Sequence, residues 1–152
     1  MKKKIKVYLD TSVISALFDK RNPERKSLTE VFFTFIEEFD PYISEITGSE
    51  IERTPNAELR TNMKNTIVQF PVLFLTEDSE WLANEYIRYG AVPERYTEDA
   101  YHIAVAVINE MDFLLSWNFK HIVRRKTKDI VAMVNTLNRL KHIEIMTPAE
   151  LL

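Results

Sequence analysis

The chain has 152 residues, 45% of them hydrophobic and 28% charged, with a formal net charge of -3. That is long and apolar enough for one core in a single domain over residues 1–152, and too apolar for extended disorder. The acidic balance argues against general coating of nucleic acid, and the absence of cysteine excludes disulfides, thiolate metal sites and cysteine nucleophiles.

In chain order, "IKVYL" (5–9) reads as a strand and "SVISALF" (12–18) as a short helix. "PERKSLTEVFFTFIEEF" (23–39) carries an amphipathic stripe of Leu28, Val31, Phe32, Phe35, Ile36 and Phe39, with Pro23 suited to its first turn. "PYIS" (41–44) is a strand and "EITGSEIER" (45–53) a short helix closed by Pro55. A helix follows over 56–70, a strand over 72–76, and a helix over 77–90 ended by Gly90. "TEDAYHIAVAVINE" (97–110) is apolar nearly all round from Ile103 to Ile108 and predicts a deeply buried helix with Thr97 as its cap. "FLLSW" (113–117) is a strand, 128–140 a helix, 143–146 a last strand and "TPAELL" (147–152) a final turn.

Strands that read as continuous apolar runs, separated by helices, point to an α/β fold of three layers around a central parallel sheet. Its functional crevice is expected beyond the carboxyl ends of the strands. Gly48 and Gly90 alone cannot build a P-loop or a dinucleotide-binding turn. His102, His121 and His142 lie too far apart for a HExxH zinc motif, and no GxSxG occurs. "MKKKIKVYLDTSV" begins like a signal peptide, but Asp10 interrupts it and no later run reaches membrane-spanning length. The expectation is a cytoplasmic protein with no membrane segment.

Chemistry must then come from carboxylates. Asp10 follows the first strand, where it serves as a helix cap or as one wall of a site. Glu50 shares a helix face with Ile46 and either lines a cleft or is solvated. Asp99 sits in the first turn of the buried helix, where the helix dipole alone would favour an acid. Asn118 follows the fourth strand, a place where asparagine needs no special reason. All four fall on one edge of the expected sheet. Carboxylates gathered there would repel one another unless protonated or compensated, and a hard divalent cation, Mg²⁺ or Mn²⁺, fits an oxygen-only donor set. The basic run "KHIVRRKTK" (120–128) reads first as a solvated helix end.

Taken together, "YLDTS", "SEI", "EDAYHIAVA" and "LLSWNFKHI" resemble, in order, the motifs of the PIN-domain family. The resemblance implies an α/β/α sandwich and a metal-dependent nuclease acting mostly on RNA. Many small members are VapC-type toxins inhibited by an antitoxin encoded beside them, and a homodimer is usual. Carried over by position, Asp10, Glu50 and Asp99 are the catalytic and metal-binding carboxylates. Asn118 stands where many members have a fourth acid, and Thr11 and Ser116 shape the site. The expected reaction is hydrolysis of an RNA phosphodiester, with Lys120, His121, Arg124 and Arg125 guiding the RNA. Because Asn118 supplies no charge, the alternative is a weak or inactive PIN-fold module that binds RNA or a protein partner. A haloacid-dehalogenase-like site wants an acid where Ser12 stands. A receiver domain wants an acid pair before its first helix and an aspartate after its middle strand, and neither is present.

Overall fold

A computed structural model describes residues 3–152. Five strands, β1 (Ile5–Leu9), β2 (Phe39–Ser44), β3 (Val72–Leu73), β4 (Phe113–Leu115) and β5 (Glu144–Met146), form one sheet in the order β3-β2-β1-β4-β5. Every pairing is parallel, including Val7 with Pro41 on one side of β1 and Val7 with Phe113 on the other. The helices are α1 (Thr11–Ala16), α2 (Pro23–Thr34), α3 (Glu45–Glu52), α4 (Ala57–Ile67), α5 (Glu77–Arg88), α6 (Thr97–Ile108) and α7 (Arg125–Leu137).

Alternate side chains of a strand point to opposite faces, so the sheet has two cores. Tyr8, Leu114 and Ile145 pack with Ile103, Leu82 and Val134 of the α5–α6–α7 layer. Val7, Leu9 and Leu115 pack on the other face with Ile14, Phe32 and Met63 of α1, α2 and α4. The expected three-layer sandwich is the observed one. The apolar helix α6 is its most enclosed element, with His102 to Val107 all buried.

Several boundaries differ from the periodicity. The helix expected over 23–39 stops at Thr34, passes through a 3-10 turn at Ile36–Glu38, and the chain enters β2 at Phe39. Val31 and Phe35 of its stripe are exposed, and Phe32 carries the burial. Pro41 lies within β2 without breaking the sheet, because β3 pairs only with Ile43 and Ser44, beyond the missing N–H. The strand expected over 72–76 is two residues long, and the last long helix begins at Arg125 rather than 128. Thr97 is not a cap. It lies inside α6 and donates its hydroxyl back to the Glu94 carbonyl at 2.6 Å. Gly90 does end α5. Its φ of 82° lets the Ala91 N–H reach the Tyr86 carbonyl at 2.8 Å and so close the helix.

β1 is central, and the chain runs from it to β2 and β3 on one side before crossing to β4 and β5 on the other. The order therefore reverses between β1 and β4, beside the point where each strand delivers a polar residue.

Candidate active site

Asp10 follows β1 and is only 3% exposed. It caps α1: its Oδ1 accepts the Ser12 N–H at 3.0 Å and the Ser12 hydroxyl at 2.5 Å. Capping leaves Oδ2 over, and this oxygen accepts the Ser116 hydroxyl at 2.6 Å across the β1–β4 reversal. Ser12 also receives the Trp117 N–H at 2.8 Å, which ties the two segments a second time. The cap of α1 is thus tied to the end of β4. Burial raises its pKa above the ordinary 3.8, although the His102 charge and the Ser116 and Ser12 hydrogen bonds work against that shift.

Glu50 stands on α3 one turn after buried Ile46, as the shared face requires. Its Oε1 accepts the Thr11 hydroxyl at 2.5 Å and the His102 Nε2–H at 2.6 Å. Burial raises its pKa, but the hydrogen bond and charge of His102 and the Thr11 hydroxyl outweigh this and hold the carboxyl below its ordinary 4.5. Asp99, in the first turn of α6, meets His121 Nδ1 at 3.1 Å. Burial lifts its pKa, with His102, Asn118 and His121 opposing the rise and Glu50 adding to it.

His102 is the residue that the sequence motifs did not single out. It is buried on α6 one turn beyond Asp99, with Nδ1 2.6 Å from the Tyr8 hydroxyl. Tyr8 in turn shares a 2.7 Å hydrogen bond with Ser44, the cap of α3. Burial lowers the pKa of His102, yet Tyr8, Glu50 and Asp10 prevail and raise it well above 6.5. When protonated, the imidazole donates from both nitrogens and sets a positive charge beside Glu50. A signal was present in the sequence: a histidine in an otherwise apolar buried helix must find polar partners.

The remaining expected residues lie in different settings. Asn118 organises the turn after β4, accepting the His121 N–H on its side chain at 3.0 Å and the Ile122 and Val123 N–H groups on its carbonyl. His121 stacks on Tyr96, ring centroids 4.0 Å apart. Lys120 is exposed. Arg125 is exposed and pairs with Asp129 at 3.5 Å. Arg124 points inward, donating to the Thr127 hydroxyl at 2.8 Å and the Ala91 carbonyl at 3.1 Å.

Glu50 and Asp99 line one cleft with Arg95, Tyr96, Thr97 and Glu98. Asp10 does not line this cleft and is joined to it through its neighbour Thr11, whose hydroxyl donates to Glu50. Among the described residues, no group of three or more His, Asp or Glu side chains is close enough to hold a metal ion as placed. The donor chemistry nonetheless fits a hard cation: the Glu50 and Asp99 carboxylates, from two separate helices, face one cleft with oxygen donors.

A sequence model of the PIN domain matches residues 7–120, which include every one of these acids. The chain belongs to the PIN-domain family. Among solved structures, VapC20 of Mycobacterium tuberculosis, described as a toxin that cleaves the sarcin-ricin loop, superposes with a TM-score of 0.60 at 16% identity. That match covers 76% of this chain and 92% of VapC20. VapBC2 of Rickettsia felis, bound to a DNA fragment from its promoter, gives a TM-score of 0.56 at 10% identity over 93% of this chain and 97% of its own. Comparison with curated protein sequences gives no match. The PIN-fold sandwich of this chain is thus shared with toxins of VapC type, and no described helix is long and apolar enough to cross a membrane.

Proposed function

We propose that this PIN-domain protein is a divalent-metal-dependent endoribonuclease of VapC type, the toxin of a type II toxin–antitoxin pair acting in the cytoplasm. The observation that carries the reading is that Glu50 and Asp99 line one cleft, to which Asp10 is joined through its neighbour Thr11, whose hydroxyl donates to Glu50. Membership of the family and the likeness to VapC20 and VapBC2 support it. The partners proposed are an RNA substrate, an antitoxin protein and a second copy of the chain.

Asp10, Glu50 and Asp99 would hold Mg²⁺ or Mn²⁺, with Asn118 offering at most a carbonyl oxygen. The ion, when bound, supplies an acidified water and neutralises charge on the phosphoryl oxygens. The chain's own part is to place and tune the acids. Thr11 and His102 orient Glu50 from two directions, and both hydrogen bonds fall on Oε1. Ser12 and Ser116 fix Asp10 so that its buried charge cannot swing away. Lys120 and Arg125, exposed beside the turn that follows β4, would meet the RNA backbone, a role that their exposure supports. The test is cleavage of single-stranded RNA by purified protein with Mn²⁺ or Mg²⁺. Cleavage should vanish with EDTA and in Asp10→Asn. Equal cleavage by wild type and that variant would identify a contaminant.

A second reading has its own observation. The Asn118 side-chain oxygen already accepts the His121 N–H, which leaves it less free for an ion. A PIN fold that binds RNA or a protein partner without cutting accommodates that arrangement. Calorimetry with Mn²⁺ separates the two: no binding, or binding unchanged by Asp99→Ala, favours the module.

A further inference from the structure

Beside the acid cluster lies a stack that the proposed chemistry does not use. The guanidinium carbon of Arg25, in the first turn of α2, sits 5.2 Å from the centroid of the Trp117 ring and 5.6 Å from that of Phe119. The two rings lie 6.3 Å apart at 62°. Trp117 is immobilised: its indole N–H donates to buried Thr29 at 2.9 Å and its backbone N–H to Ser12. Thr29 donates in turn to the Arg25 carbonyl at 2.7 Å, so arginine and indole are locked to the same turn of helix. Phe119, by contrast, is 49% exposed.

Geometry of this kind suits a nucleotide. Two aromatic rings orient the guanidinium plane, and among the described residues Arg25 forms no ion pair, which leaves its donors for an incoming anion. The half-exposed Phe119 ring offers an apolar face such as unpaired bases stack on. Phe119 lies three residues beyond the Ser116 that holds Asp10, hence within about 11 Å of it along the chain. A chain of net charge -3 with a carboxylate cluster at its crevice repels a polyanion, so a fixed cation at the rim meets a need that the acids create.

We propose that Arg25, Trp117 and Phe119 form a subsite for one nucleotide of single-stranded RNA, with Arg25 taking a phosphate and Phe119 an unpaired base. The proposal rests on the ribonuclease reading and names how its substrate is gripped. It assigns the grip to a stacked arginine on α2, outside the basic run 120–128.

The test is fluorescence anisotropy of a short labelled single-stranded RNA with the full chain in EDTA, where no metal-dependent cleavage occurs. Arg25→Lys, which keeps the charge but loses the planar fork, and Phe119→Leu, which keeps the apolar bulk but loses the ring, should each weaken binding by about tenfold. Phe119→Trp should stay within about twofold of wild type. With an oligonucleotide lacking bases, the effect of Phe119→Leu should disappear and that of Arg25→Lys remain. Urea midpoints of the variants identify a purely structural role: loss of affinity only in step with loss of stability overturns the proposal. So does wild-type affinity in Arg25→Lys and Phe119→Leu, the result expected if the stack serves a protein partner. Cleavage assays stand apart from this readout. A protein that binds through the stack but never cuts would retain the subsite and lose the nuclease reading, and a nuclease indifferent to both substitutions would do the reverse.

Discussion

His102 Nε2 lies 2.6 Å from Glu50 Oε1 while its other nitrogen lies 2.6 Å from the Tyr8 hydroxyl, so one buried imidazole links an acid of the site to the centre of the sheet. The imidazolium pKa is raised well above 6.5 and the Glu50 pKa is held below 4.5. The pair therefore stabilises the fold in the window between these values. Glu50's share is lost as pH falls through its depressed folded pKa. His102's share is complete below 6.5 and is lost as pH rises through the raised one. In metal-free protein, NMR of the imidazole should show a midpoint above 6.5 that drops in Glu50→Gln. An unchanged midpoint in that variant would remove Glu50 as the cause.

Replacing His102 with phenylalanine should destabilise the chain by about 2–3 kcal/mol, because the Tyr8 hydroxyl and a largely buried carboxylate both lose a charge-assisted partner. Urea unfolding of the metal-free protein measures this. His102→Gln, which can still donate to one neighbour, should recover part of the loss.

Asp10→Asn should separate stability from activity. Asparagine is as good a helix cap as aspartate, and the substitution removes a charge that burial penalises. Thermal unfolding of the metal-free variant should lie within about 1 kcal/mol of wild type, while RNA cleavage falls by at least about 100-fold. A large loss of stability would mean that the charge itself, held by Ser12 and Ser116, supports the fold.

The two arginines of the basic run should behave oppositely. Arg124 spends its donors on Thr127 and Ala91, so Arg124→Ala should cost about 1 kcal/mol in urea unfolding through the loss of these two hydrogen bonds, while the Ala91 carbonyl keeps the Thr127 hydroxyl as a donor. Arg125 is exposed and, among the described residues, pairs with Asp129 one turn on, so Arg125→Ala should leave stability unchanged. Any effect on RNA affinity should shrink as salt is added.

The sheet was readable because parallel strands buried on both faces leave uninterrupted apolar runs, such as "KVYL" before Asp10, that only a few arrangements can hide. The same logic leads to the expectation that Asp10, Glu50 and Asp99 share one edge, and Glu50 and Asp99 line one cleft. Phe35 and Val31 misled for a physical reason: their spacing matches a helix stripe, but α2 ends where the chain must turn into β2, and the last turns of the stripe face outward. Thr97 looked like a cap from composition alone, whereas its hydroxyl is taken by the preceding 3-10 turn. The role of His102 depends on Tyr8 and Glu50, far from it in the chain, which a motif of acids does not record. The inward turn of Arg124 depends on a carbonyl 33 residues away, which no local pattern records.

The hydroxyl that secures Asp10 belongs to a residue 106 positions later in the chain. Synthesis proceeds from the amino end, and the first hundred residues emerge with Asp10 held by Ser12 alone and without the central sheet contact of β4. The crevice is therefore completed only when the last third of the polypeptide has left the ribosome and docked against β1.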